Sequence, residues 1–559
     1  MVLKFNDDFT NSRVSDLYIK EEERIIKQNS TQLGMKYINL VGYPVNPDAL
    51  IKIDRKIAEE ANLVVFDINR NVLSVAVINP NNKNTKELLD KLSKNNKLDI
   101  YICSSNSLKY GWKRYDDIIV TSASKKGLME IDSKQLKEFS ELIKSTDDLQ
   151  TLLDKSSKST NIKRVSETMQ LILAGGLSLG ASDIHIEPES DSIRIRYRLD
   201  GVLHDVAQLR SGIYKRLMSR FKLLSGMVLN SRQEAQDGRF TFDVEEKVVE
   251  VRVSIIPGSL GESIVMRLLD PTVASFDINK INLNPHIRKY IDIQLKKPNG
   301  LIITTGPTGS GKTTALYSFL KEVHNEGIKI ITIENPVEYK LKGIVQTQTG
   351  DDYTFSSGLR AILRQDPDVI MVGEIRDREV AETAIHAAQT GHLVFSTLHT
   401  NSAAAGFPRL IDLGVDPFVM NTSINILIGQ RLIRLLCKHC KKTYTATKEE
   451  LAIIDIIMKK HPYPTEIKKD QVLYKPNGCE KCGHTGFSGR MGIYEAVVMD
   501  EKVSDVILHD PRESSIIEAG RPQKIPTLSE DGIDKVIAGI TSIKELERVV
   551  ELPRLDITS

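Results

Sequence analysis

The segment Gly306-Pro-Thr-Gly-Ser-Gly-Lys-Thr313 follows directly on the apolar run Leu301-Ile-Ile-Thr-Thr305. A strand that feeds Gly-x4-Gly-Lys-Thr into a helix is built to cradle phosphates. The glycines let backbone N–H groups turn inward, and the helix N-terminus adds the positive end of its dipole. Gly306, Pro307, Thr308, Gly309, Ser310, Gly311, Lys312, Thr313 and Thr314 are the expected nucleotide-binding residues. Lys312 is expected to reach the β- and γ-phosphates of a nucleoside triphosphate, and the Thr313 hydroxyl to ligate Mg²⁺.

Three later segments have the character of strand ends that face such a site. Ile330-Ile-Thr-Ile-Glu334-Asn-Pro-Val-Glu338 ends a strand in two carboxylates, and Val369-Ile-Met-Val-Gly-Glu374 ends another in one. Parallel α/β sheets bind ligands at the carboxyl ends of their strands. Glu374 can therefore hold Mg²⁺ through water, and Glu334 or Glu338 can polarise the attacking water. The bland alternative is that these acids cap the helices that follow. In Gly391-His392-Leu-Val-Phe-Ser-Thr-Leu-His399-Thr400, two histidines flank a third apolar strand, and both are candidate sensors of the bound nucleotide. Arg194, Arg196, Arg198, Arg239 and Arg252 lie upstream on strands of alternating pattern. They read either as a solvated face or as cationic fingers for a transferring phosphoryl group.

Four of the five cysteines form Cys437-x2-Cys440-x38-Cys479-x2-Cys482. Paired knuckles of this kind match a closed, tetrahedral, structural Zn²⁺ site, with no open position for chemistry. Cys103, in the apolar stretch Ile100-Tyr-Ile-Cys103, reads as a small buried hydrophobe.

A chain of 559 residues is too long for one core. Its charge balance, 76 − 74 = +2, gives no electrostatic case for nucleic acid as a direct partner. No apolar run is long enough to span a bilayer, and the N-terminus lacks the layout of a signal peptide, so a cytoplasmic location is expected. Residues 1–30 read as a tail or loose helix, and 31–120 as a small α/β module with strands near 63–68, 72–78 and 98–104 and a helix over 85–92. Polar composition makes 121–162 a linker, with a second α/β region to 272, a connection over 273–290, and the phosphate-binding domain from 291 to 559.

These motifs, in this order, resemble the secretion ATPases that power type II secretion and type IV pilus assembly. The resemblance is carried by Ser182-Asp-Ile-His-Ile-Glu-Pro188, Arg196-Tyr-Arg-Leu-Asp-Gly201, Gln236-Asp-Gly-Arg239 and the P-loop. It continues through Thr332–Glu338, Leu363–Asp377, Gly391–Thr400, the cysteine insertion over 435–485 and Gly489-Arg-Met-Gly-Ile-Tyr-Glu495. It implies an α/β multidomain chain, with a PAS-like domain (163–272) joined to a RecA-like ATPase domain (291–559) and a small N-terminal module. It also implies a homohexamer at the inner face of the cytoplasmic membrane, working on an inner-membrane platform protein. ATP with Mg²⁺ is then the substrate, and Zn²⁺ a structural ion. Carried over, Arg198, Arg239 and Arg252 approach the phosphates, Glu334 or Glu338 serves hydrolysis, Glu374 orders metal and water, and His392 and His399 sense the nucleotide.

One departure is Asn335, where the family pattern has Asp, which removes a charge and suggests slower hydrolysis or weaker Mg²⁺ handling. Some relatives bind cyclic-di-GMP through a Leu-Gly-rich segment that is absent before Thr31, so that ligand is not expected here. Retraction ATPases are the nearest rival reading, but they lack both the cysteine insertion and the extra N-terminal module. A nucleotide-gated scaffold without hydrolysis is the alternative from another class.

Overall fold

The computed structural model describes residues 21–553, apart from short stretches at 33, 44, 51, 70–71, 94–95, 123–130, 132, 157–161, 230–232, 245–246 and 270–275. The chain divides into two compact units, Met1–Ile131 and Asp132–Ser559.

In the first unit, strands β1 (Lys36–Tyr37), β2 (Leu63–Asn69), β3 (Val72–Val77) and β4 (Lys97–Ile102) form one sheet in the order β1-β4-β3-β2. Val/Leu-rich strands suit this half-buried surface, and Leu63, Val64, Val65, Val75 and Val77 are fully buried. Cys103 is buried in the same core, as its apolar neighbours suggest. Residues 21–32 form a helix. Glu23 ties it down by accepting hydrogen bonds from the hydroxyls of Tyr37, Ser104 and Ser107. The expected tail thus contains a seated helix, and its first twenty residues lie outside the described part.

The second unit opens on Ser133–Leu142 and Thr146–Ser156, two helices within the stretch whose polar composition suggests a linker. Each buries one narrow stripe (Leu136; Leu149 and Leu153), a helical period that polar neighbours hide from composition. They pack on the helix Ile162–Ser178. An antiparallel six-stranded sheet follows, made of β5 (Ala181–Pro188), β6 (Ser192–Leu199), β7 (Val202–Arg210), β8 (Gln236–Val244), β9 (Lys247–Gly258) and β10 (Gly261–Leu269). Its spatial order is β7-β6-β5-β10-β9-β8, the PAS-like layer. On β6, Ile193, Ile195 and Tyr197 face the core, which leaves Arg194, Arg196 and Arg198 on the other face.

The RecA-like layer is a seven-stranded sheet. Its strands are β11 (Gly300–Thr305), β12 (Ile330–Glu334), β13 (Val345–Gln348), β14 (Val369–Val372), β15 (Leu393–Leu398), β16 (Ile424–Leu436) and β19 (Phe487–Val498). The order is β13-β12-β14-β15-β11-β16-β19, parallel except for the β16–β19 pair. β11, β12, β14 and β15 are buried on both faces, which explains their unbroken apolar runs. Between β16 and β19 the chain makes a hairpin of β17 (Lys442–Thr445) and β18 (Val472–Lys475) and a helix, Lys448–Lys460.

Candidate functional site

The P-loop leaves the end of β11 and enters the helix Lys312–Val323. Leu316, Phe319 and Leu320 are fully buried, and at ~2 kcal/mol each they hold the helix N-terminus against the sheet. Gly311 has φ +87°, and a Cβ there would lie 2.7 Å from Gln430 Nε2, so only glycine fits. Lys312 is 8% exposed. Its ammonium donates to the carbonyls of Gly306 (2.7 Å) and Pro307 (3.1 Å). Burial brings its pKa down to about 8, against the opposing pull of Glu374.

A cleft of about 830 Å³ surrounds this loop. It is lined by 307–314 of the phosphate-binding segment, by Glu334, Asn335, Glu338, Glu374 and His399 from the RecA-like sheet, and by Arg198 and Arg267 from the PAS-like sheet. The three acids differ in what already holds them. Glu334 is buried and accepts hydrogen bonds from the hydroxyls of Tyr317 and Thr332 and from Gln346 Nε2. Burial pushes its carboxyl up, and the three donors only partly oppose that. Glu338 accepts from Arg252 Nη1 at 2.8 Å, while Arg252 Nη2 donates to the Val337 carbonyl at 2.6 Å. Glu374 faces His399 Nε2 at 3.3 Å and pairs with Arg376.

The two histidines part company. His399 follows the carboxyl end of β15 and lines the cleft. His392 precedes the same strand, whose six residues separate the two by ~20 Å. Its Nδ1 is 2.9 Å from the Ala387 carbonyl, and its own carbonyl accepts from Gly300 N–H at the start of β11. Because β15 runs parallel to β11, His392 lies at the end of the sheet away from the P-loop. It therefore cannot read a nucleotide held there, which corrects the sequence expectation.

The arginines share one row. Across the antiparallel ladders, Arg239 is opposite Arg252, Arg252 opposite Arg267, Arg267 opposite Asp183, and Asp183 opposite Arg198. Residues directly opposite share a face of the sheet. Asp183 is almost fully buried and anchors the row, accepting from Arg267 Nε at 3.0 Å and Arg198 Nε at 3.1 Å. Burial alone raises its carboxyl pKa, but Arg267, Ser182 and Arg198 outweigh it, and the group stays below the usual range. Arg239, on the outer strand β8, is exposed and does not line the cleft. Arg194 and Arg196 pair with Asp205 and Glu187 instead. Arg267 escaped the sequence reading because its place in the row depends on strand register. Arg431 and Arg548 also line the cleft, and nothing in their sequence neighbourhood marks them.

The four cysteines come together where β16 ends and β19 begins. Their Sγ atoms all lie within 4.8 Å of one another, with pairs at 3.9, 3.8 and 3.7 Å. These distances are far too long for disulfides, and all four thiols are free. Four sulfurs ~2.3 Å from a shared tetrahedral centre would stand ~3.8 Å apart, so the cluster fits a metal ion. The backbone N–H groups of Cys479 and Gly486 point at Cys482 Sγ, the donors a thiolate needs.

Residues 157–548 match the family described as Type II/IV secretion system protein, and residues 33–118 match the MshEN domain. The chain belongs to the type II/IV secretion system proteins. The Type II secretion system ATPase E of Vibrio cholerae is 39% identical over 432 residues, 77% of this chain and 83% of that protein. The Type IV pilus assembly ATPase PilB of Pseudomonas aeruginosa is 42% identical over 383 residues, 68% of this chain and 66% of that protein. The solved structure of the ATPase DotB from Yersinia pseudotuberculosis shares the fold. It has a TM-score of 0.51 at 20% identity, over 70% of this chain and 95% of its own. The protein is thus an ATPase of the type II/IV secretion family, in line with its P-loop and strand-end acids. Among the described residues, no helix is long and apolar enough to cross a membrane.

Proposed function

We propose that this secretion ATPase is a homohexameric motor at the inner face of the cytoplasmic membrane. It drives type IV pilus assembly or type II pseudopilus extension through an inner-membrane platform protein. The observation that carries the reading is the cleft itself, where a P-loop on one sheet faces Arg198 and Arg267 of the arginine row on another, with Arg252 next in the row outside the lining. Relatives named for secretion and for pilus assembly favour extension over retraction.

The residues divide the work by what they touch. Lys312, now bonded to two P-loop carbonyls, transfers its ammonium to the β- and γ-phosphates of ATP. The Thr313 hydroxyl and the Glu374 carboxylate line the same cleft and are oxygen donors suited to Mg²⁺, which would neutralise phosphate charge. Arg252 is held by Glu338, and incoming phosphate competes for it. Once released, Glu338 is free to take a proton from the attacking water, while Glu334 stays committed to its three donors. His399 beside Glu374 registers whether the γ-phosphate is present. Arg239, exposed on the outer strand of the row, suits the nucleotide of a neighbouring subunit. Asn335 lines the cleft with an amide, which places one negative charge fewer opposite the phosphates.

Drawing arginines of the PAS-like sheet onto phosphates held by the RecA-like sheet couples ATP binding to domain closure, and product release reverses it. The four cysteines would hold Zn²⁺ as a structural ion, stiffening the insertion. The test is Mg²⁺-dependent ATP hydrolysis by the full chain, resolved by size on a column, beside Lys312→Ala. Turnover should concentrate in a hexamer-sized fraction and vanish in the variant. Nucleotide binding with no turnover in any fraction would overturn the motor reading and leave a nucleotide-gated scaffold.

A further inference from the structure

On one side of the cleft only Arg490 belongs to a family motif, and the other lining residues there are unexplained by the motifs. The sheet order places β11 and its P-loop between β15 and β16. Glu334 ends a strand on the β15 side, and Glu338, Glu374 and His399 follow strands on that side, so the γ-phosphate end of a bound nucleotide points that way. The other wall is made by β16, the neighbouring β19 and the C-terminal helix Ile543–Val549, which contribute Arg431, Leu432, Arg490, Arg548 and Val549; Arg490 faces Asp200, its Nε 4.0 Å from a carboxylate oxygen. β16 is close to the loop here: a Cβ on Gly311 would touch Leu432 at 3.6 Å, and one on Gly306 would meet Arg431 Nη1 at 3.1 Å. Arg431 spends its guanidinium on the carbonyls of Gln430 and Asn401. Arg548 does not.

Arg548 is aimed by a buried carboxylate. Glu545 is 1% exposed, and its two oxygens accept from Arg548 Nη2 at 2.7 Å and Nε at 3.0 Å. The same oxygens accept from the backbone N–H, Nε and Nη2 of Arg434, at 3.0, 3.0 and 2.8 Å. Arg434 is itself fixed, its guanidinium stacked 4.0 Å over the Phe487 ring. One carboxylate shared by two guanidiniums leaves one net positive charge. Arg434 is the more enclosed of the two cations, so that surplus is presented to the cleft by Arg548, which is 41% exposed. Its Nη1 has no hydrogen-bond partner among the described residues. A structural ion pair alone would not need a second arginine on a carboxylate that Arg434 already satisfies.

We propose that Arg548 binds the α-phosphate end of the nucleotide in its own subunit, with Glu545 and Arg434 as positioning residues. The inference rests on the nucleotide reading of the cleft. Since the α-phosphate is common to ATP and ADP, Arg548 strengthens both alike, unlike the arginines facing the γ-phosphate side. Its anchor Arg434 lies on β16 three positions before Cys437, which directly follows that strand, so the cysteine cluster and this contact share one stretch of backbone.

The test is isothermal titration of the full chain with ADP and with a non-hydrolysable ATP analogue. Wild type must bind both, and Lys312→Ala must not; failure of that pair sinks the nucleotide reading itself. With it in hand, Arg548→Ala should weaken both ligands by about tenfold, the worth of one charge-assisted hydrogen bond. The loss should appear in KM rather than in kcat. Arg548→Lys, which keeps the charge, should recover part of the affinity. Unchanged affinity for both nucleotides in Arg548→Ala, or a loss confined to the triphosphate, would overturn the assignment. For Glu545→Gln, a parallel loss of both affinities supports the positioning role. A lowered melting midpoint with wild-type affinities assigns Glu545 to stability alone and refutes that role.

Discussion

Asp183→Asn isolates the anchor of the arginine row with almost no change in shape. The wild-type carboxylate is 7% exposed and holds Arg198 and Arg267, themselves 35% and 52% exposed. Hydrogen bonds to charged partners are worth ~1.5–3 kcal/mol each. Solvent screening of the two half-exposed guanidiniums reduces that by about half, and Asn keeps one acceptor oxygen. A net loss of ~2 kcal/mol is therefore expected. The strands that meet at Asp183 should then open ~30-fold more often, a ratio that 2 kcal/mol sets directly. Amide exchange of peptides from β5, β6 and β10, read by mass spectrometry at pH 7, measures it. The pH dependence provides a second check. The folded carboxyl lies below its usual pKa, so its contribution is complete above about pH 4 and is lost as pH falls through the folded value. The wild type should melt above the variant at pH 7, and the gap should narrow as pH falls below about 4 toward the folded value. Equal exchange at pH 7, or a melting gap that does not narrow at all as the pH is lowered from 7 to 3, would refute the view that this charge anchors the row.

Two further perturbations test the cleft and the cysteine cluster. Arg252→Ala removes both the pair with Glu338 and the bond to the Val337 carbonyl; steady-state ATPase should fall at least ~100-fold in kcat, toward the range for a lost arginine finger, and a loss below tenfold would exclude Arg252 from the phosphates. Stripping metal with a strong chelator, or Cys479→Ser, should release about one Zn²⁺ per chain, as a closed four-thiolate site requires. It should also lower the melting midpoint, and a fully reduced wild type found free of metal with an unchanged midpoint would rule out the zinc site.

Features that depend on short spacing were legible in the chain. The Gly-x4-Gly-Lys-Thr segment, the carboxylates closing Val/Ile runs and the two cysteine knuckles are local patterns, and the structure brings the first two to one cleft and the four cysteine sulfurs within 4.8 Å of one another. Apolar runs of five or six residues announced the buried parallel strands, because such strands have no wet face. The linker reading over 121–162 failed for a related reason: Leu136, Leu149 and Leu153 are one-sided stripes in polar company, and average composition cannot see a stripe.

Other features belong to the tertiary structure alone. His392 and His399 are equivalent in sequence, one at each end of an apolar run, and only the parallel pairing of β15 with β11 decides which lies beside the P-loop. Arg198, Arg239, Arg252 and Arg267 are scattered over seventy residues, yet antiparallel register sets them in one row about a single aspartate. Arg548 reaches the cleft only because Glu545 and Arg434, more than a hundred residues apart, meet in a buried ion cluster. The sequence determines which groups can do chemistry and the local backbone that carries them. Which of them face one another is decided by strand direction and register, long-range choices made by burying apolar faces that no short segment contains.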